Sequence, residues 1–177
     1  MADSKGNLMK ISMHAMSVNV FTHALGNLSA FLEKGQAHAT QRKFEPAVLL
    51  ASRLAPDMFP LTRQVQLACD IAKNSVARLA AQEPPRFPDT EASFEELHAR
   101  IARTIDYLKG VPASALEGAE TRDLEVPTRE RTLQFKGLEF LEHWALPNVF
   151  FHLTMAYAIL RHNGVELGKR DFLGGSR

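Results

Sequence analysis

Cysteine is nearly absent from this chain of 177 residues, where Cys69 stands alone. A single thiol excludes an intrachain disulfide. Without a Cys-x-x-Cys pair there is no thiolate set for a structural zinc or a dithiol centre. No apolar run reaches the roughly 18 residues that suggest a membrane span. No secretory leader pattern follows Met1, so a cytoplasmic location is the expectation. The Asn27-Leu28-Ser29 sequon is then a chance match. Charge of one sign is also lacking: 21 basic and 20 acidic residues leave a formal charge of +1. That balance offers no electrostatic footprint for nucleic acid or an anionic membrane, so neither is an expected partner. A Gly-rich phosphate loop is missing, and no serine–histidine–acid or cysteine–histidine set is suggested.

What is present is helical periodicity. Residues 1–8 are polar and unpatterned, which predicts a flexible leader, and residues 9–174 are expected to form one domain. Met9, Met13, Met16, Val20, Ala24, Leu28 and Phe31 recur at spacings of three and four, the stripe of one amphipathic helix. Gly35 follows where a C-cap is expected. A link over 36–56 contains Ala47 to Ser52 between two prolines, a candidate short helix. The next stripe is Met58, Leu61, Val65, Ala68, Ala72, Val76 and Leu79, with Asp57 as its expected N-cap and Pro60 in its first turn. Pro84, Pro85 and Pro88 predict a stiff non-helical link. Ser93 and Glu96 then make a capping box for a third helix, whose stripe is Phe94, Leu97, Ile101, Ile105 and Leu108.

Asp123 to Val126 and Thr132 to Phe135 alternate in polarity, which predicts a small hairpin outside the helices. The fourth helical stretch is 137–163. Pro147 is expected to break it into a lead-in, anchored by Trp144, and a long helix. Leu146, Val149, Leu153, Ala156 or Tyr157, and Leu160 form its stripe, and Gly164 is its expected C′ residue. Four such stripes are buried most economically around one shared core, so the fold class is all-α, a four-helix bundle with a hairpin between helices three and four. The predicted core includes Met16, Leu61, Val65, Ile101, Leu153 and Leu160.

Several segments agree in order with one family. They are Arg53 to Met58, Gln64-Val65-Gln66, Ala145 to His152, Ala156 to Val165 and Gly168 to Gly174. Across nearly the whole chain the sequence resembles a bacterial family of unknown function within the DinB/YfiT-like superfamily. The resemblance implies a four-helix bundle, often dimeric, so a two-fold homodimer is expected. It also implies kinship with metal-dependent thiol transferases and hydrolases. Those relatives carry one histidine on the second helix and His-x-x-x-His on the fourth, where spacing i, i+4 puts two ligands on one helix face. Here the pair reads Asn148-x-x-x-His152, and the second helix has no histidine. Asp57 and Gln64 are its nearest polar substitutes.

One imidazole with carboxamides is a poor zinc set, so no metal or other cofactor is expected; His152 would be the one strong ligand if zinc bound. The expected site is a polar pocket with His152 and Asp57 as candidate catalytic groups and Gln64, Asn148 and Tyr157 as candidate ligand-binding groups. It would serve a transferase or hydrolase that has lost the three-histidine site, acting on a small molecule the sequence does not identify. A non-catalytic binding or interaction protein is the alternative. Blander roles compete at each position: a packing histidine at 152, a helix cap at 148, and a helix cap at 57. Of the other histidines, His14 and His23 are nine apart and so not on one regular helical face, His38 falls in a link, and His98 on a solvated face. Cys69 borders the second stripe, as a small buried hydrophobe would.

Overall fold

In the computed structural model, residues 11–128 and 130–175 are described. The expected leader at 1–8 and Met9 lie outside them. Helix α1 spans Val20–Arg42 and is preceded without interruption by a π turn, Ala15–Asn19. Five-residue hydrogen bonding in that turn unwinds the helix relative to a regular one. The buried face therefore moves to Met13, Ser17, Val18 and Phe21. Met16, expected in the core, is 40% exposed for the same reason. Gly35 does not end α1. It is buried mid-helix against Leu160 and Phe94, and the helix continues through His38 to a left-handed C-cap at Lys43. His38 is thus helical and packs edge-on against Phe44.

Helix α2 is short, Ala47–Ala51. It is tied to α3, Leu61–Leu79, by the Leu61 amide donating to Ser52 O at 2.9 Å and Thr62 Oγ1 donating to Leu50 O at 3.2 Å. The start of α3 corrects the sequence expectation: Pro60 occupies the N-cap position with no side-chain cap. Met58 and Asp57 lie before the helix, and Asp57 is exposed. Helix α4, Phe94–Gly110, opens with the expected capping box. Ser93 Oγ accepts from the Glu96 amide, and Glu96 Oε2 accepts from the Ser93 amide, each at 3.2 Å. His98 is half-buried on α4, not solvated, with Nδ1 2.8 Å from Ser29 Oγ.

Strands β1, Asp123–Pro127, and β2, Thr132–Lys136, form the expected antiparallel hairpin, with Leu124 opposite Phe135 and Val126 opposite Leu133. These four make its inward face. Beyond it the backbone stays helical through α5 (Gly137–Phe140), a π turn (Leu141–Ala145) and α6 (Leu146–His162). Pro147 does not break this stretch. It has no amide hydrogen to place, and the π turn just before it takes up the irregularity. Trp144 packs on Phe135 with ring centres 6.0 Å apart, the anchor expected of it. At the far end the Val165 amide reaches Leu160 O and Gly164, with φ +88°, reaches Arg161 O, both at 3.1 Å. That is a Schellman motif built on the left-handed geometry glycine adopts without strain. A last short helix, α7 (Lys169–Leu173), follows.

Helices α1 and α3 each pack between α4 and α6. Leu61, Val65, Ile101, Leu153 and Leu160 are buried in the shared core as expected. The chain is mostly helical with one small sheet. No helix among the described residues is long and apolar enough to cross a membrane.

Candidate functional site

Gln64 lies in the first turn of α3, where Nε2 donates to Phe59 O at 3.1 Å. That bond fixes the amide and turns Oε1 toward α6. His152 Nδ1 sits 2.8 Å from Oε1. A carboxamide oxygen only accepts, so Nδ1 carries the proton and Nε2 keeps its lone pair. Both side chains are buried, His152 at 9% exposure. Burial, then the positive charge of Arg63, pushes the imidazole from 6.5 down to about 4. His152 is therefore neutral at pH 7.

The other expected members join this pair only in part. Asn148 shares the His152 helix face, but its Nδ2 donates to Trp144 O at 2.6 Å. It is not the N-cap of α6, a position held by Ala145, and one of its amide hydrogens serves its own helix next to the proline. Asp57 makes no hydrogen bond or ion pair with Gln64, Asn148 or His152. Tyr157 is turned about 140° around α6 from His152 by the helical repeat. Its ring packs on Phe31 and Phe172 at 5.6 and 5.9 Å. Its hydroxyl is 3.5 Å from Leu167 O. Surface cavities of about 410, 730, 360, 590 and 490 Å3 have none of these five residues in their linings.

The donor set does not suit a divalent zinc. Gln64 Oε1 is already bonded to His152, Asn148 offers only a carboxamide oxygen, a poor zinc ligand, and α3 has no imidazole. Among the described residues, no three His, Cys, Asp or Glu side chains cluster as a metal set.

Sequence reasoning missed the densest polar cluster. Arg100 of α4 is fully buried, with Nη2 2.9 Å from both Asp70 and Asp89 and Nη1 donating to Glu91 at 2.9 Å and to Pro88 O at 3.1 Å. Buried Lys73 donates to Pro85 O and Asn74 Oδ1, each at 2.7 Å. Phe87 lies between Lys73 and Arg103, 5.1 and 4.8 Å from its ring centre. Burial raises Asp70 and lowers Lys73 from their ordinary values. Glu91 is also penalised by burial, yet hydrogen bonds from Arg100 and Gln66 hold it below the usual carboxylate range. These groups clamp the proline-rich link onto α3 and α4. The available signal was Arg100 itself, a charge bordering the Leu97 and Ile101 stripe. Cys69 is buried beside this cluster, and burial pushes its thiol up to about 12, so it is inert at neutral pH.

Comparison with known proteins places this architecture. No curated protein matches the chain. A crystal structure of a DinB family member protein from Shewanella denitrificans is similar, with a TM-score of 0.87 and 43% sequence identity over 93% of each chain. The model of a domain of unknown function, DUF1993, matches residues 13–173. The chain therefore belongs to the DUF1993 family and shares its fold with a DinB family member.

Proposed function

We propose that the chain is a DinB-type four-helix-bundle protein that binds a small molecule without turning it over, using the His152–Gln64 pair as its polar recognition element. The observation that carries this reading is the 2.8 Å bond from His152 Nδ1 to Gln64 Oε1. It orients a neutral imidazole and leaves Nε2 as an acceptor. Exposed Phe59, whose carbonyl holds the Gln64 amide, and exposed Phe151, next to His152 with its ring 5.2 Å from the imidazole, supply apolar surface. The fitting partner has one hydrogen-bond donor on an apolar or aromatic body. Turnover is disfavoured by chemistry: an imidazole at about 4 is a feeble base at neutral pH, and Asp57 is not engaged with it.

Phenol is the simplest probe of that chemistry. Titration into the labelled protein should shift the His152 Nε2 nitrogen resonance, and His152→Ala should abolish phenol binding while the protein stays folded. Equal binding by His152→Ala, or shifts confined to other surfaces, defeats the reading. A homodimer formed through the same exposed side chains, with Phe150, would compete with the small molecule for this face, so phenol binding should weaken as the protein associates.

A further inference from the structure

Away from His152, two adjoining cavities open where α1 begins. One, of about 590 Å3, has as its polar lining His14, Asn19, Thr22, His23, Asn27 and Lys109 and, among the described residues, no carboxylate. Among the described residues no carboxylate lies within 4.0 Å of the Lys109 ammonium. Thr22 Oγ1 is buried without a hydrogen-bond partner, a donor and acceptor awaiting use. His14 and His23 share this cavity although nine residues separate them. The π turn between them, Ala15–Asn19, changes the helical phase that would otherwise set them apart.

The second cavity, of about 360 Å3, shares Asn19, His23 and Asn27 and is otherwise walled by apolar groups, among them Ala24, Phe150, Leu153 and Phe172. Two of the shared polar side chains are engaged with α7. His23 Nε2 donates to Leu173 O at 3.0 Å, and Asn27 Nδ2 donates to Phe172 O at 2.9 Å. These bonds hold α7 on α1 and leave the rest of the second cavity's wall mostly apolar. Its volume and that of its neighbour fall in the roughly 300–1,000 Å3 range of small-molecule sites.

We propose that the two cavities form one binding site for an amphipathic monocarboxylate, with its carboxylate in the cationic cavity against Lys109 and Thr22 and its hydrocarbon chain or ring in the apolar one. Charge complementarity selects the head: a described lining with an ammonium, several further hydrogen-bond donors and no acid favours an anion. A single lysine matches one negative charge better than the nearly two of a phosphate monoester. The second cavity is walled mostly by apolar groups, and His23 Nε2 and Asn27 Nδ2 in it already donate to backbone, so a hydrocarbon enters it without orphaning those two donors. The site is independent of His152, on a different face of α6.

Straight-chain carboxylates from butanoate to octanoate are the probes, titrated calorimetrically and by chemical shift. Affinity should rise about fourfold per added methylene until the apolar cavity is filled. Shifts should centre on Thr22, His23, Ala24 and Phe150. Octanoate should bind at least about tenfold more tightly than 1-octanol or octylammonium, and Lys109→Met should remove that preference while leaving 1-octanol binding unchanged. Lys109 is exposed in the last turn of α4, so its variant should fold. The proposal is overturned by octylammonium binding as well as octanoate, by hexyl phosphate binding more tightly than hexanoate, by shifts elsewhere, or by no octanoate binding up to about 5 mM.

Discussion

At the scale of single residues, two buried polar groups make opposite demands. His152 is neutral in the folded chain and titrates near 4, against 6.5 as its ordinary value. Between those values the unfolded chain binds more protons than the folded one, so stability rises with pH across that window. Acidification from pH 7 should begin to destabilise the protein near 6.5, and the loss should saturate below about 4, at up to roughly 3 kcal/mol. His152→Gln should flatten that slope in urea unfolding measured at steps between pH 4.5 and 7.5. An unchanged slope would show that His152 is not the group responsible. Arg100 is the reverse case, a buried charge that must stay charged. Arg100→Met would strand Asp70, Asp89 and Glu91 around an apolar side chain, and should cost about 3–5 kcal/mol. Asp89→Asn, at a 39% exposed side chain, should cost far less. Comparable losses in the two variants would contradict a buried clamp centred on Arg100. Of the candidate site, the His152–Gln64 pairing was legible because family spacing placed both groups on facing helices. The idle Asp57 and self-bonded Asn148 were not. Hydrogen bonds that a side chain makes to its own backbone leave no trace in residue spacing.

At the scale of elements, the readable features were those with local chemistry. The Ser93–Glu96 capping box, the Gly164 terminus and the alternating hairpin each follow from a few adjacent residues, and each stands where the sequence put it. The misread features depend on helical phase or on distant packing. Two π turns, Ala15–Asn19 and Leu141–Ala145, alter the period that a 3.6-residue stripe assumes, which exposes Met16 and carries the helix through Pro147. Gly35 looked like a terminus, but its neighbours Leu160 and Phe94 come from elsewhere in the chain. Gly137 is the sharpest test of such close packing. A Cβ there would overlap the Ala119 carbonyl oxygen, a backbone atom that cannot turn aside. Gly137→Ala should therefore lower the melting temperature markedly, whereas Ser93→Ala should cost only about 1 kcal/mol by loss of its cap. A thermally neutral Gly137→Ala would mean that the start of α5 and the turn at 119 are not held as close as described.

At the scale of the whole molecule, the stripes that cover one another leave a remainder. Phe59 and Phe151 are 54% and 53% exposed, and Phe150 is 37% exposed, while the core is closed by other residues. Aromatic rings of this size in water lose on the order of 1.5–3 kcal/mol each relative to burial, and exposed apolar patches commonly mark interfaces. A two-fold axis would let the end of α6 in one copy cover its counterpart, because an isologous contact needs only one self-complementary patch. Multi-angle light scattering should then give twice the 19.7 kDa chain mass at micromolar concentration. Phe151→Asp, which places a charge in the patch without touching the core, should return the mass to that of one chain with an unaltered helical circular dichroism spectrum. A monomer mass at every concentration removes the dimer. It leaves the phenol and carboxylate tests intact, because neither site needs a second copy.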